Sequence, residues 1–168
     1  GTTTARWSYV AVLGGHTWQT TPNSIGASQS LHSAAIREDG TLWTWGKDDQ
    51  GQLGQGVVSD KCSPVQVGSL TTWHKVFPAR NATFAIKTDG TLWGWGNTGN
   101  SQLLGDPDRS SPVQIGAASN WVHLSSQTNS VLAIDSAGRL WAWGDNGMSN
   151  YFGSPLGLGT AGGTVSTI

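Results

Sequence analysis

Leu42-Trp43-Thr44-Trp45-Gly46 is the stretch that decides the fold, because the sequence repeats it twice more. It returns as Leu92-Trp93-Gly94-Trp95-Gly96 and again as Leu140-Trp141-Ala142-Trp143-Gly144. A glycine stands two residues before each copy, at positions 40, 90 and 138, so the copies are spaced by 50 and then by 48 residues. Self-similarity at this period is typical of a repeat protein, in which each unit packs against its neighbours.

A short apolar run and a tight-turn signal precede each copy. The runs and turns are Ala35-Ile36 with Asp39-Gly40, Ala85-Ile86 with Asp89-Gly90, and Ala133-Ile134 with Ala137-Gly138. An Asp-Gly step between two apolar runs predicts a β-hairpin with a two-residue type I′ loop. Because loop length sets the register, this loop would place Ile36 opposite Trp43 and Ala34 opposite Trp45.

The predicted register sorts the side chains into a bulky face and a nearly flat face, because side chains alternate along a strand. The bulky face carries the isoleucine and both tryptophans of each unit, and the flat face pairs Ala35 with Thr44. A half-solvated sheet would have one polar face, whereas neither predicted face is polar here. Small sheets of this kind suit stacking around an axis, and a period of ~40–50 residues fits a four-stranded blade. The predicted fold class is therefore all-β, a β-propeller with almost no helix.

A second motif gives the phase of the repeat. A Val-x-Val or Val-x-Ile step begins eight residues before a tryptophan, at Val10 and Trp18, Val65 and Trp73, and Val113 and Trp121. It divides a single domain, 1–168, into units at about 10–64, 65–112 and 113–164. The first unit has extra residues at 19–24, and the third has an insertion at 148–152.

Three motifs in this order resemble the RCC1 (regulator of chromosome condensation) repeat family. They are Gly-Gln-Leu-Gly at 51–54, Ser-Pro-Val-Gln-Val-Gly at 63–68, and Ala-Ile-Lys-Thr-Asp-Gly-Thr-Leu-Trp-Gly-Trp-Gly at 85–96. The resemblance covers nearly the whole chain and implies a β-propeller, usually of seven blades.

Three units make only an arc of a larger ring, which leaves a sheet face uncovered at each end. We therefore expect other protein chains to complete the ring. A twofold head-to-head pairing of two arcs would give six blades, and a seven-blade ring would need unequal contributions. The alternative is that the sequence is a piece of one longer propeller.

Composition and motifs argue against several classes of protein. Only 11% of residues are charged and the net charge is −1, with no basic cluster, so we expect no nucleic-acid surface. No apolar run is long enough for membrane insertion. The four histidines lack zinc spacing, and Cys62 has no partner for a disulfide. Gly157–Gly162 matches a dinucleotide-binding pattern but lacks the following helix and acidic residue. We predict neither an enzyme nor a bound cofactor or metal.

The candidate binding residues lie in loops that differ between the copies. Asp48 and Asp49 occupy one inter-strand loop, and Asp106, Asp108 and Arg109 occupy its counterpart. Clustered oxygens could hold calcium, but the spacing matches no EF-hand pattern, so we expect solvated turns.

An aromatic pair in the third unit is a further candidate. Tyr151 and Phe152 lie in the insertion, and aromatic side chains often anchor interfaces. The other interpretation is that the pair fills the gap at the end of the arc.

The predicted function is a non-enzymatic structural or protein-interaction module. Low charge, abundant Gly, Ser and Thr, and Trp-rich repeats also resemble propeller proteins of bacteriophage particles and bacterial surfaces. That resemblance implies an extracellular or virion-associated protein. One alternative is guanine-nucleotide exchange on a small GTPase, the founding activity of the family, which calls for a complete ring and a basic segment. Another is a secreted propeller that inhibits an enzyme such as a β-lactamase.

Overall fold

A computed structural model of the protein describes residues 8, 11–12, 15–29, 31–97, 108–126 and 130–144. These residues form eleven strands and no helix, and so no helix that could cross a membrane. The strands are β1 (Ile25–Ala27), β2 (His32–Ile36), β3 (Leu42–Gly46), β4 (Lys61–Gln66), β5 (Trp73–Pro78), β6 (Ala82–Lys87), β7 (Leu92–Gly96), β8 (Arg109–Gln114), β9 (Trp121–Ser126), β10 (Ser130–Asp135) and β11 (Leu140–Gly144).

The strands form three antiparallel sheets, which we call blades 1, 2 and 3. Blade 1 has the order β1-β2-β3-β4, blade 2 the order β5-β6-β7-β8, and blade 3 the order β11-β10-β9. The blades stand side by side in an arc, with β1, β5 and β9 as neighbouring strands. The predicted all-β propeller architecture is confirmed. The sequence units at 65 and 113 begin inside β4 and β8, so the phase of the repeat does not coincide with the sheets.

The central hairpins depart from the predicted register by one residue. Ile36 lies opposite Leu42 instead of Trp43, and Ala35 lies opposite Trp43. The loop has three residues, because Arg37 and Thr41 close it with an N···O distance of 2.9 Å. Gly40 has φ 78°, and the described part of the chain has no positive φ at Asp39, so the turn is not type I′. A type I turn followed by a left-handed glycine fits this loop.

The side chain of Asp39 favours the longer loop. Its Oδ1 accepts hydrogen bonds from Thr41 N at 3.0 Å and from Thr41 Oγ1 at 2.6 Å. Asp89 and Thr91 repeat both bonds at the same distances. An aspartate that accepts a hydrogen bond from the backbone two residues on stabilises this turn, so the predicted type I′ loop is wrong.

The one-residue shift changes what each face of a blade carries. Both motif tryptophans now share a face with small residues, since Trp43 pairs with Ala35 and Trp45 with Ser33. The opposite face carries the isoleucine and the leucine, which pair as Ile36 and Leu42. We call these surfaces the Trp face and the Ile/Leu face. Blades 2 and 3 repeat the arrangement, so the predicted bulky face of Ile with Trp was wrong.

Candidate interaction surfaces

The core lies in two seams, one between each pair of neighbouring blades. In the first seam the Ile/Leu face of blade 1 packs on the Trp face of blade 2. In the second, the Ile/Leu face of blade 2 packs on the Trp face of blade 3. The innermost strands add one aliphatic residue each, Val76 to the first seam and Leu124 to the second. Each seam therefore joins two different faces, and always in the same direction along the chain.

A loop from blade 1 clamps the first seam through a main-chain oxygen. The carbonyl of Gln52 accepts hydrogen bonds from Trp95 Nε1 at 2.9 Å and from Thr83 Oγ1 at 2.8 Å, both on blade 2. The next carbonyl, that of Leu53, accepts from Thr44 Oγ1 at 2.7 Å. The Gly-Gln-Leu-Gly motif at 51–54 is thus the link between blades 1 and 2. Its glycines allow close approach, since a Cβ at Gly54 would lie 2.6 Å from Trp95 Nε1.

His32 extends this clamp with a buried ring. Its Nε2 lies 2.9 Å from Thr83 Oγ1 and its Nδ1 lies 2.7 Å from Ser28 Oγ. The hydroxyl of Thr83 already donates to Gln52, so it accepts from Nε2–H, and Nδ1 accepts from Ser28. Burial lowers the pKa of His32 from 6.5 to about 4, because the charged ring would lose its hydration. The ring is therefore neutral at physiological pH.

We expect His32 to make the fold sensitive to mild acid. Its folded pKa of about 4 lies below the unfolded value of 6.5, so between these pH values the unfolded chain binds a proton that the folded chain does not. The stability that neutral His32 provides above pH 6.5 should be lost as the pH falls towards 4, by about 3 kcal/mol. Urea unfolding of wild type and His32→Asn at several pH values measures this. An equal pH slope in the two proteins would contradict it.

Main-chain contacts complete each seam at the hairpin glycine. Trp73 N donates to Gly40 O at 3.2 Å, and Trp121 N donates to Gly90 O at 3.0 Å. A Cβ at Gly40 would lie 2.1 Å from Thr71 O, and one at Gly90 would lie 2.3 Å from Ser119 O. The chain entering the next blade therefore passes directly over each glycine, where only hydrogen fits.

The third hairpin has different side chains from the first two but also binds the indole N–H of its first motif tryptophan. In blades 1 and 2 the indole N–H of Trp43 or Trp93 donates to a threonine hydroxyl at 2.9 Å. In blade 3 Trp141 Nε1 donates to Asp135 Oδ2 at 3.0 Å, and Arg139 Nε donates to the same oxygen at 2.7 Å.

Asp135 is almost fully buried, and its ionisation follows from these contacts. Burial alone raises the pKa of its carboxyl. The hydrogen bonds from Trp141, Arg139 and Ala137 outweigh that effect and lower the pKa to about 2. The ionised carboxylate therefore organises this turn.

The two ends of the arc expose positions that the seams bury. Leu140 is 68% exposed, whereas its counterparts Leu42 and Leu92 are fully buried. Ile134 beside it is 39% exposed. At the other end Ile25 is 71% exposed, although Val76 and Leu124, at the same register position, are buried. Exposed apolar positions gathered on one face mark interaction surfaces.

The tryptophans of the blade 1 Trp face are only partly covered. Trp45 is half-buried, whereas its counterparts Trp95 and Trp143 are buried in the seams. His16 lies over Trp43 with 5.0 Å between ring centroids, and Trp18 lies 6.3 Å from Trp45. The nitrogen Nε1 of Trp45 has no hydrogen-bond partner within the described ranges, whereas that of Trp95 bonds to Gln52.

The aspartates predicted to bind partners occupy two different environments. Asp48 is fully buried, where its carboxylate accepts from Leu53 N and Ser59 N, each at 2.9 Å. The expected solvated turn is therefore wrong for Asp48, because the carboxylate holds the loop that clamps the seam. Asp49 is exposed and pairs with Lys47 at 2.7 Å, and this hydrogen bond lowers the pKa of Asp49.

The counterpart loop is described only at its end. Asp108 Oδ2 lies 3.4 Å from Asn97 Nδ2, and Arg109 begins β8 opposite Gly96. Asn97 also donates to Gln50 Oε1 at 2.8 Å, which brings the two loops together at one edge of the first seam. Asp106, Tyr151 and Phe152 lie outside the described residues, and their binding roles stay predictions. No group of three or more potential metal ligands occurs in the described ranges.

The sequence predicted an uncovered sheet face at each end of the arc but not the side chains that form it. The structure places Ile25 on one of these faces and Ile134 and Leu140 on the other. An alignment of the three sequence units identifies these positions. Each belongs to a set of three equivalent residues, and the other two residues of the set are buried in seams.

These features define the chain as a β-propeller repeat protein, with blades joined face to face through directional seams. Two family models, both described as the Regulator of chromosome condensation (RCC1) repeat, match residues 39–86 and 24–52. Residues 24–86 therefore carry RCC1-type repeat sequence.

Solved structures with this fold include human WBSCR16 and yeast RCC1 (Prp20). The first has a TM-score of 0.67 and 20% identity, covering 77% of this chain and 35% of that one. Yeast RCC1, solved with Kap60 bound, has a TM-score of 0.56 and 21% identity over 70% of this chain and 30% of that one. A second structure, of Prp20p from Saccharomyces cerevisiae, has a TM-score of 0.55 and 21% identity over 70% and 31%. The chain thus spans about a third of the length of these proteins, and the similarity concerns the fold.

Proposed function

We propose that this chain is a non-enzymatic protein-interaction module whose two terminal blade faces bind another polypeptide. The observation that carries the proposal is the exposure of Leu140 at a position that is buried in both internal seams. Covering an exposed apolar face removes apolar surface from water and therefore favours the binding of another protein.

The use of the buried polar side chains supports a module without catalysis. His32, Asp48 and Thr83 each bond within a loop or across a seam. Asp135 bonds within its turn. Their hydrogen bonds hold a loop, a turn and the first seam in place, which is a structural role.

Site-specific photocrosslinking tests the proposal in the organism or particle from which the chain comes. A photoreactive amino acid at position 140 or 25 should give covalent adducts with a polypeptide. The same amino acid at Val57, an exposed apolar residue in the loop before β4, serves as the matched control. Adducts at position 57 alone, or no adducts at 140 and 25, would contradict the proposal.

The proposal includes an extracellular or virion-associated location, where such a module would build or decorate a particle surface. Low charge (11% of residues) and abundant glycine (24 residues) support it. Fractionation of particles and cells followed by mass spectrometry of the chain measures its location. Recovery only from the cell interior would overturn this part of the proposal and leave the binding faces untouched.

A second candidate is guanine-nucleotide exchange on a small GTPase. It is favoured by the shared fold with Prp20p, a protein whose binding to Gsp1p and histones has been studied. Acceleration of nucleotide release from small GTPases in a fluorescence assay would support this candidate. Unchanged release at saturating concentration of the chain would exclude it for the GTPases assayed.

A further inference from the structure

We infer that the polypeptide at the open faces is a second copy of this chain, docked head to tail. The Ile/Leu face of blade 3 in one copy would pack on the Trp face of blade 1 in the other. This inference rests on the proposed function, because it names the partner of the same faces.

The apolar composition of the two open faces is complementary. At the first seam, Ile36 and Leu42 meet Trp95 and Val76. Blade 3 offers Ile134 and Leu140 in place of the first pair, paired in the same register. Blade 1 offers Trp45 and Ile25 in place of the second pair. The chain therefore carries both halves of one more seam and leaves both exposed.

The polar groups of blade 1 are those that a preceding blade would bind. At the first seam Trp95 Nε1 and Thr83 Oγ1 both donate to the carbonyl of Gln52. Their counterparts, Trp45 and Ser33, pair with each other in the same register. Blade 1 therefore carries a pair of donor side chains at the positions where blade 2 has Trp95 and Thr83.

Blade 3 carries the matching recess at its hairpin. Gly138 has φ 78°, like Gly40 and Gly90, but a Cβ placed there would meet nothing within 4 Å. At Gly40 and Gly90 this space is filled by the carbonyls of Thr71 and Ser119. Each of these residues lies two positions before the first tryptophan of the next blade. The equivalent residue before Trp18 is His16, which would bring its carbonyl to Gly138 of the other copy.

The direction of docking follows from the difference between the faces. A head-to-head contact would place two Ile/Leu faces together and leave both Trp faces open. In the head-to-tail contact each new seam joins an Ile/Leu face to a Trp face, as both seams within the chain do. Two arcs joined in this way at both ends would close into a ring with a twofold axis.

Complementing charge variants test both the partner and the direction. Light scattering and sedimentation velocity of the purified 168-residue chain should show a dimer. Ile25→Lys and Leu140→Glu should each raise the dissociation constant by at least about a hundredfold, because each places a charge in a seam. An equimolar mixture should recover dimers, since one seam is then wild type and the other pairs lysine with glutamate. Val57→Glu should change nothing.

Several outcomes would overturn the inference. They are a monomeric wild type at concentrations of about 100 μM, dissociation by Leu140→Glu but not by Ile25→Lys, and a mixture that stays monomeric. Near-UV circular dichroism checks the fold of each variant, and Ile25→Ser with Leu140→Ser replace any variant that fails to fold. Crosslinks from positions 140 and 25 to a different protein, with a monomeric chain in solution, would reject the second copy and leave the proposed function standing.

Discussion

Trp95→Ala is expected to lower the free energy of unfolding by about 3–5 kcal/mol, one of the two largest effects of a single change in this chain. Trp95 is fully buried in the first seam, and its indole N–H bonds to Gln52 O. The substitution removes one of the two buried tryptophans of that seam and opens a cavity between the blades. Urea or thermal unfolding followed by circular dichroism measures the loss.

Trp45 supplies the matched control, because it holds the same register position in blade 1 without an intramolecular seam over it. Trp45→Ala should cost about 1–2 kcal/mol, since a half-buried side chain loses less contact. Trp95→Phe keeps most of the bulk and should cost about 1 kcal/mol for the lost hydrogen bond. Both tryptophan variants are measured in the Leu140→Glu background, where copies do not associate. Equal losses for Trp95→Ala and Trp45→Ala there would show that the seam contributes nothing.

Gly90→Ala should destabilise the fold by roughly 2–5 kcal/mol, through two separable causes. At φ 79° any L side chain is strained, which costs about 1–2 kcal/mol. The new methyl group would also lie 2.3 Å from Ser119 O, so the second seam would have to open. The midpoint and slope of urea unfolding give the total.

Gly138→Ala isolates the backbone strain, because φ is 78° there and no atom of the described residues lies within 4 Å of the added Cβ. Its cost should be the 1–2 kcal/mol of strain alone. Both glycine variants are best measured in the Leu140→Glu background, so that association of copies does not enter. A Gly138→Ala loss as large as that of Gly90→Ala would disprove the role of the seam contact.

The architecture could be predicted because it depends on a pattern that recurs. Three Leu-Trp-x-Trp-Gly copies, each after a turn glycine, define three similar hairpins, and two apolar faces on each hairpin require stacking. A one-residue error in the hairpin register does not alter this pattern. The predicted architecture of stacked blades is therefore correct although the predicted register is wrong.

The register could not be predicted, because the same Asp-Gly pair fits two loop lengths. The choice depended on the hydrogen bonds of Asp39 to Thr41, which favour the three-residue loop. A one-residue difference moves every partner to a new position, so Trp43 meets Ala35 and the two faces change composition.

The candidate site was the hardest part to predict, because it depends on which contacts are missing. Asp48 looked like an exposed binding residue in a polar loop, but its carboxylate is turned inward to hold Leu53 and Ser59. Leu140 belongs to a motif whose other leucines are buried, and it is exposed because no blade covers it in the described part of the chain. The first outcome depends on bonds within one loop, and the second depends on whether another blade packs on the face.

The carbonyl of Gln52 holds Trp95 and Thr83 at once, and it belongs to the main chain. No substitution at position 52 can delete this acceptor, although a change there can shift the loop. The contact between blades 1 and 2 is therefore tolerant of mutation on the accepting side and sensitive on the donating side. Chimaeras that exchange blade 2 should keep this contact if the incoming sheet supplies an indole and a hydroxyl at these two positions.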